Sequence, residues 1–251
     1  MCRLTFHLAQ FLGPAQFDNL RLVATRSLDK FASMKTITVT CFDHFIEETT
    51  SHRVGGRIFR GVSDLDAHKL VPPIGRKPRW SGLPLNKLAS SERGMLKRFK
   101  QEGAPYASSQ LSDWEWMVLA RHHELPGRLL DWSKNPLVAL YFAVQGGNAK
   151  AGAVYAEKFT RTLQIAKETD PFRVTKVSKL NPAHSHPRIS AQAMVLTIHP
   201  DPRMVYQSRS LLCLRVSGKL KRDFKQALRR IGIHPATIYP GLDGVAENII
   251  G

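Results

Sequence analysis

The chain has 251 residues and 43% of them are hydrophobic, which is enough to bury a sizeable core and excludes disorder as the default. Its 37 Lys and Arg against 20 Asp and Glu give a formal net charge of +17, which implies an anionic partner: a nucleotide, a nucleic acid or an acidic protein. No apolar run is long enough to span a bilayer and no secretory pattern opens the chain, so we expect no membrane association and a cytoplasmic location.

The first 33 residues differ in pattern from the rest of the chain. Their apolar residues are scattered, whereas an alternating strand is predicted at 35–41, followed by a short helix with one apolar side. We therefore predict an N-terminal extension over residues 1–33 and one domain over residues 34–251. On this hypothesis Met34 is the native start, and peptides from residues 1–33 in a mass spectrum of the native protein would refute it.

A short strand is predicted within RIFRGVSD, residues 57–64. Arg60 precedes Gly61, where the chain can turn tightly and another group can approach closely. The planar donor fork of arginine suits an anion. Arg60 is therefore either an anion ligand or a surface arginine beside a turn glycine.

A segment rich in Pro and Gly spans residues 69–84, and apolar side chains within it predict an ordered loop. Two helices are predicted next, at 92–100 and 113–122. The second helix ends at His122-His123, directly before the next segment of the chain.

Residues 121–144, RHHELPGRLLDWSKNPLVALYFAV, join hydrogen-bonding side chains to an apolar helix. Asn135 followed by Pro136 is a strong start signal, because asparagine caps free amide groups and proline gives up a donor that has no partner there. Residues 137–144 carry no charge, so the helix must be buried. The polar groups before it form either a rigidly supported site or a satisfied loop leading into a core helix.

Strands are predicted in the C-terminal half at 151–159, 188–200 and 210–218, with a polar loop at 172–186. Strands and helices do not alternate regularly. This order favours an α+β fold, a single mixed-sheet domain with flanking helices, over a doubly wound sheet.

A basic amphipathic helix is predicted at 219–233. Its apolar face carries Leu220, Phe224, Leu228 and Ile231. Its other side carries Lys221, Arg222, Lys225, Arg229 and Arg230. That side is either the solvated face of a packed helix or a contact surface for phosphates.

These segments together resemble the FRG domain family, named for its Phe/Tyr-Arg-Gly motif. The similarity covers roughly Met34 to the C-terminus, and residues 121–144 are its most specific block. Members typically show Gln-His-His-Gly, then Thr-Arg-Leu-Leu-Asp-Trp, then an aliphatic-aromatic helix. The matching positions here are Arg60, Gly61, His122, His123, Arg128, Asp131, Trp132 and Gln192.

The chain departs from the family pattern at five positions. Arg121 stands where glutamine is usual, Glu124 replaces a glycine, and Gly127 and Ser133 replace threonines. Met194 sits where a glycine often follows the late glutamine, which is expected to narrow any pocket against that strand.

The layout that the resemblance implies is similar to ADP-ribosyltransferases of the arginine-serine-glutamate type. It implies a split sheet, NAD as the cofactor, and a protein or nucleic-acid target in a toxin or phage-defence setting. Arg60 would then bind the phosphates of NAD, Ser133 or Asp131 would order the nicotinamide ribose, and Gln192 would occupy the place of the catalytic glutamate. The other cofactor-binding candidates are Gly61, His122, His123, Arg128 and Trp132.

Gln192 raises a chemical difficulty for this scheme, because glutamine supplies neither a negative charge nor a base. Either Asp131 or Glu124 supplies the acid, or the site binds a nucleotide without transferring it. An ion pair between Asp131 and Arg128 that only braces the loop is a further alternative.

The paired histidines do not predict a metal site. His122 and His123 are adjacent and cannot project to one side of a helix, and no carboxylate or cysteine stands at a zinc-like spacing, so no metal is expected. One histidine packed and the other exposed is the alternative to a ligand role.

Two classes of function remain open, and geometry separates them. An enzyme predicts that Arg60, His123, Asp131 and Gln192 converge on one cleft. A non-catalytic module that binds nucleic acid or a nucleotide predicts a closed pocket and a continuous stripe of Lys and Arg.

Overall fold

A computed structural model describes residues 34–51, 55–108, 110–164, 170–183 and 186–251. The predicted extension over residues 1–33, which precedes the proposed start at Met34, lies outside these residues.

Seven strands form one mixed sheet in the order β1-β7-β4-β2-β3-β6-β5. The strands are β1 (Lys35–Val39), β2 (Ile58–Val62), β3 (Leu129–Ser133), β4 (Gly152–Glu157), β5 (Ser178–Leu180), β6 (Met194–Ile198) and β7 (Leu212–Val216). Only β1 and β7 pair in parallel, and all other neighbours are antiparallel.

The described residues form ten α-helices around this sheet, which confirms the α+β prediction. They are α1 (Phe42–Thr50), α2 (Pro73–Arg76), α3 (Pro78–Ser81), α4 (Leu85–Gly103), α5 (Asp113–His122), α6 (Pro136–Ala143), α7 (Pro187–Ala191), α8 (Lys221–Arg230), α9 (Pro235–Ile238) and α10 (Leu242–Ile250).

The sheet narrows between β2 and β3. These strands share one register pair, Phe59 with Ser133, whereas β2 pairs with β4, and β3 with β6, over five residues each. Beside that pair, Arg60 Nη1 donates to the carbonyl oxygen of Asp131 at 2.6 Å. A side chain therefore bridges two strands whose backbones pair at a single position.

The junction between β2 and β3 is called the seam below. Two apolar clusters lie on the same face of the sheet, one on each side of this seam. Side chains two apart on a strand share a face, and Phe59 and Ser133 are paired, so the faces of β2 and β3 correspond. One cluster surrounds α6 and covers β2, β4, β7 and β1. The other surrounds α5 and covers β3, β6 and β5. The two helical groups leave a cleft above the seam.

Helix α6 is buried, as its uncharged sequence predicts, with Leu140 and Ala143 fully inaccessible. The Asn135 side chain caps it by accepting from the amide of Leu137 at 2.9 Å. A Cβ added to Gly61 would lie 1.8 Å from the carbonyl oxygen of Ala139. The close approach expected at Gly61 is therefore made by the backbone of α6, which packs directly on β2.

Three predictions of secondary structure and exposure are wrong in part. The strand expected at 188–200 begins only at Met194, because His186 and Pro187 start helix α7. The loop expected at 172–186 contains strand β5. Lys221, predicted on the exposed side of the basic helix, is 1% exposed, and its Nζ donates to the carbonyl oxygen of Ser63 at 2.7 Å.

Candidate functional site

The cleft above the seam has a volume of about 570 Å³ and an excess of positive charge. Two carboxylates line it, those of Glu124 and Asp131. Five cationic side chains line it, those of Arg60, Arg76, Lys77, Arg121 and Arg188. They come from segments spread between residues 60 and 188, so only the folded chain assembles them.

Asp131 lies at the centre of an ion-pair network on the cleft floor. Its carboxylate accepts two hydrogen bonds from Arg121, one from Nε at 3.0 Å and a shorter one from Nη2. Its Oδ2 also lies 3.9 Å from Arg60 Nη1. The predicted pairing of Asp131 with Arg128 is therefore wrong, because Arg121 of helix α5 is the partner.

Arg60 is the most buried cation of this network. Burial lowers its pKa to about 10, against the attraction of Asp131, so it stays charged at neutral pH. Its Nε is buried and has no hydrogen-bond partner among the described residues. A buried charged donor without a partner is costly, which makes this atom a natural ligand contact.

Arg128 does not line the cleft. It is 1% exposed, and its Nε and backbone amide donate to the two carboxylate oxygens of Glu92 at 2.9 and 2.8 Å. Its guanidinium also lies 4.6 Å from the ring centre of Phe172. The structure therefore gives Arg128 a place in the core rather than at the predicted cofactor site.

The two histidines occupy different environments. His122 lines the cleft, and its ring stacks on that of His186 with centres 5.4 Å apart. Burial, and then the charge of His186, lower the pKa of His122 to about 4, so it is neutral at pH 7. Its Nε2 is buried without a partner among the described residues. His123 is exposed and lies outside the lining, so Arg60, Asp131 and Gln192 converge as predicted but His122 takes the place expected of His123.

Ser133 and Gln192 connect two turns at the cleft wall. The Ser133 hydroxyl donates to the backbone carbonyl of Gln192 at 2.7 Å and accepts from the amide of Asn135 at 2.9 Å. The Gln192 side-chain amide donates to the carbonyl oxygen of Ile238 at 3.2 Å. Gln192 follows helix α7 as its C-terminal cap, within the segment 188–200 that was predicted to be a strand. The polar groups of both residues thus hold the wall together.

Trp132 supports the cleft from behind. It is 3% exposed, and its indole N–H donates to the Thr197 hydroxyl at 3.0 Å. Its ring packs edge-on against Phe159 and Tyr206 on the other face of the sheet. Little of its surface remains for a ligand.

Glu124 differs from Asp131 in being exposed and free of ion pairs among the described residues. It follows helix α5 with a φ of 63°, a left-handed conformation that favours glycine. This explains why glycine is usual at this position in proteins that the chain resembles. A strained residue at the mouth of a cleft is a candidate for function.

The sequence interpretation missed Arg76, Arg188 and Tyr239. The Arg188 guanidinium lies 5.3 Å from the ring centre of Tyr239, and that ring packs edge-on against Tyr141 and Phe142. All three lie in segments that carry the resemblance, residues 69–76, residues 188–192 and the terminal segment, and that membership was the available signal.

Fold and site together define an α+β protein with a cationic cleft at a seam of its sheet. Residues 56–152 match the family model of the FRG domain, so the chain carries an FRG domain. The matched segment includes Arg60, Glu124, Asp131 and helix α6, but the cleft is completed by residues beyond it. No curated protein and no solved structure matches the chain.

Two absences hold for the residues that the structure describes. None of their groups of His, Cys, Asp and Glu has the arrangement to hold a metal ion. None of their helices combines the length and the apolar character needed to cross a membrane.

Proposed function

We propose that the cleft binds NAD or a related nucleotide and that the protein is an ADP-ribosyltransferase-like enzyme acting on a protein or nucleic acid. The observation that carries the proposal is the unmet binding capacity of the cleft. Five cations face two carboxylates, and Arg60 Nε and His122 Nε2 are buried without partners among the described residues. Phosphate oxygens match this demand, because they accept charge-assisted hydrogen bonds from arginine.

The shape of the cleft suits a nucleotide. A volume of about 570 Å³ falls in the range of small-molecule sites. The lining joins the cationic cluster around Arg60 to an apolar wall formed by Val138, Phe142 and Tyr239. A nucleotide has the same two parts, charged phosphates and flat rings that pack on apolar and aromatic surfaces.

Glu124 is the better candidate for the acid that transfer requires. Asp131 is held by Arg121 and Arg60, which stabilise its charge and occupy its oxygens, whereas Glu124 is free at the mouth. In the transfer, the bond from the ribose C1′ to nicotinamide breaks and the electron pair leaves with nicotinamide. The acceptor oxygen or nitrogen bonds to C1′, and its proton passes to Glu124.

Binding is tested by calorimetry with NAD and with ADP-ribose. Arg76 lines the cleft and makes no hydrogen bond among the described residues, so Arg76→Gln should weaken binding about tenfold without unfolding the protein. Arg79→Gln is the matched control, because Arg79 lies in the next helix and outside the lining. Absence of binding to the unmodified protein would refute the proposal.

Transfer is tested with NAD labelled on the adenosine part, followed into protein and nucleic-acid fractions. We expect label in one fraction, lost in Glu124→Gln while NAD binding persists. Growth arrest of a bacterial host on expression, relieved by the same substitution, would support the toxin or phage-defence setting. Asp131→Asn losing transfer while Glu124→Gln retains it would reverse the assignment.

A second candidate is a non-catalytic module that binds a nucleotide or nucleic acid. It is favoured by the ion pairs that occupy Asp131 and by Gln192, a glutamine where the resemblance implies a catalytic glutamate. It predicts nucleotide binding without release of nicotinamide, or nucleic-acid binding that weakens steeply with salt. Release of nicotinamide by the unmodified protein, abolished in Glu124→Gln, would exclude it.

A further inference from the structure

The cleft carries more positive charge than NAD brings in negative charge. Five cationic side chains and two carboxylates line it, which leaves a surplus of three positive charges. His122 adds no charge at pH 7, because burial, and then the charge of His186, hold its pKa near 4. The Arg60 and Arg121 side chains are only 15% and 21% exposed, so water screens their charges less than at an open surface.

Arg76 adds a third guanidinium group beside a carboxylate that is already paired. Both Asp131 oxygens accept hydrogen bonds from Arg121, and Arg60 Nη1 lies 3.9 Å from Oδ2. Arg76 lines the same cleft and makes no hydrogen bond or ion pair among the described residues. Burial, and then repulsion by Arg121, lower the pKa of Arg76. An added anion would relieve the repulsion among these three groups.

Lys77 extends the positive charge to the rim of the cleft. It directly follows Arg76 at the junction of helices α2 and α3, and both side chains are exposed. No carboxylate of the described residues pairs with either of them, although both line the cleft. The cleft therefore offers two cationic positions, Arg60 with Arg121 on the floor and Arg76 with Lys77 at the rim.

The charge of NAD matches only part of this surplus. Its two phosphates carry roughly one negative charge each and its nicotinamide ring is positive, which gives a net charge of about −1. A phosphate monoester adds about −1.5 to −2 at pH 7. A dinucleotide with one such monoester has a net charge of about −3, which balances the lining of the cleft.

We infer that the cleft takes a dinucleotide that carries an additional phosphate monoester, as NADP does, in preference to NAD. Its pyrophosphate would bind the floor position and its monoester the rim position. In dinucleotide sites a basic side chain near the ribose accepts the 2′-phosphate of NADP, whereas a carboxylate there binds the free hydroxyl of NAD. The inference rests on the proposed function, because it specifies the nucleotide that the same cleft binds.

Calorimetry with the full chain compares NADP with NAD, and 2′-phospho-ADP-ribose with ADP-ribose. We expect the phosphorylated member of each pair to bind at least tenfold more tightly. The second pair lacks the charged nicotinamide ring, so the same preference in both pairs would assign it to the monoester.

The variant Lys77→Gln locates the monoester. It should weaken binding of NADP about tenfold more than binding of NAD, so that most of the preference disappears. Arg79→Gln is the matched control, because it removes a positive charge two residues further along the chain and outside the lining. This control should keep the preference of the unmodified protein.

The possible failures of the inference and of the proposed function differ. Equal or tighter binding of NAD would overturn the inference and leave the proposed function standing. A preference for NADP that Arg79→Gln reduces as much as Lys77→Gln would also overturn it, because the preference would then be a general effect of the basic surface. No binding of any of the four ligands would refute both.

Discussion

Two arginine-carboxylate systems lie within one stretch of chain and differ in burial. Arg128 and Glu92 are both under 5% exposed, and every carboxylate oxygen of that pair is used within the core. Arg121 and Asp131 have side chains 21% and 25% exposed and line the cleft. The same chemical pair thus serves stability in one place and is available to a ligand in the other, and burial decides between these roles.

The largest expected effect comes from breaking the buried pair. Glu92→Ala leaves the Arg128 charge buried without its partner, which should lower the free energy of unfolding by about 4 kcal/mol. Urea denaturation measures the change, and the exposed i,i+4 pair of Arg98 with Glu102 provides the control. Glu102→Ala should cost less than about 0.5 kcal/mol. Equal losses in the two variants would contradict the comparison.

Acid should weaken the core through His199, which is 2% exposed and whose backbone amide donates to the carbonyl oxygen of Arg128. Burial lowers the pKa of His199 to about 3, below its ordinary value of 6.5. Below pH 6.5 His199 is protonated in the unfolded chain but stays neutral in the folded chain. Its contribution to the free energy of unfolding is therefore fully present above pH 6.5 and is lost as the pH falls toward 3.

One such histidine contributes a slope of up to about 1.4 kcal/mol per pH unit below pH 6. Urea denaturation at several pH values between 6.5 and 4.5 should show this slope reduced in His199→Gln relative to the unmodified protein. An identical slope in both would show that His199 does not titrate as its burial requires.

At the cleft, Arg121→Gln introduces glutamine, the residue that is usual at this position in the family that the chain resembles. It removes both hydrogen bonds to the Asp131 carboxylate, yet water reaches this pair, so we expect a loss of only about 1 kcal/mol in unfolding free energy. Nucleotide binding measured by calorimetry should fall by a larger factor than in Arg79→Gln. A stability loss as large as that of Glu92→Ala would remove the distinction between the two systems.

The smallest expected effect is a gain in stability. Glu124→Gly should stabilise the protein by about 0.5 to 1 kcal/mol, because glycine adopts the left-handed conformation without steric cost. Transfer from NAD should be lost in the same variant. Thermal unfolding together with the labelling assay separates the two effects, and unchanged transfer would remove Glu124 from the proposed chemistry.

The core was more predictable from the sequence than the site. Helix α6 could be predicted because an uncharged run after Asn135-Pro136 has one physical outcome, burial with a cap. The partners of Arg128 and Asp131 could not, since nearness in sequence does not give nearness in space. Arg128 pairs with Glu92 of helix α4 and Asp131 pairs with Arg121 of helix α5, so both partners come from helices that the sequence of the strand does not specify.

Errors elsewhere had similar physical causes. Residues 188–200 are a mostly apolar run without period, and such a run does not distinguish a strand from a helix followed by a strand. Lys221 shares a helix with exposed cations, but carbonyl oxygens of other segments surround its amine. Arg76, Arg188 and Tyr239 meet only through the fold, so no local spacing marks them.

The seam between β2 and β3 makes the rigidity of the sheet depend on what occupies the cleft. One backbone pair and the bond from Arg60 to the Asp131 carbonyl link β2 to β3, while apolar side chains of both halves pack together in one buried cluster. An anion that draws the guanidinium away leaves the strand pair and the buried apolar cluster to hold β2 and β3 together, so the hydrogen bonding between the two strands is weakened. Amide hydrogen exchange of β2 and β3 would then speed up on ligand binding, the reverse of the protection that a bound ligand ordinarily brings.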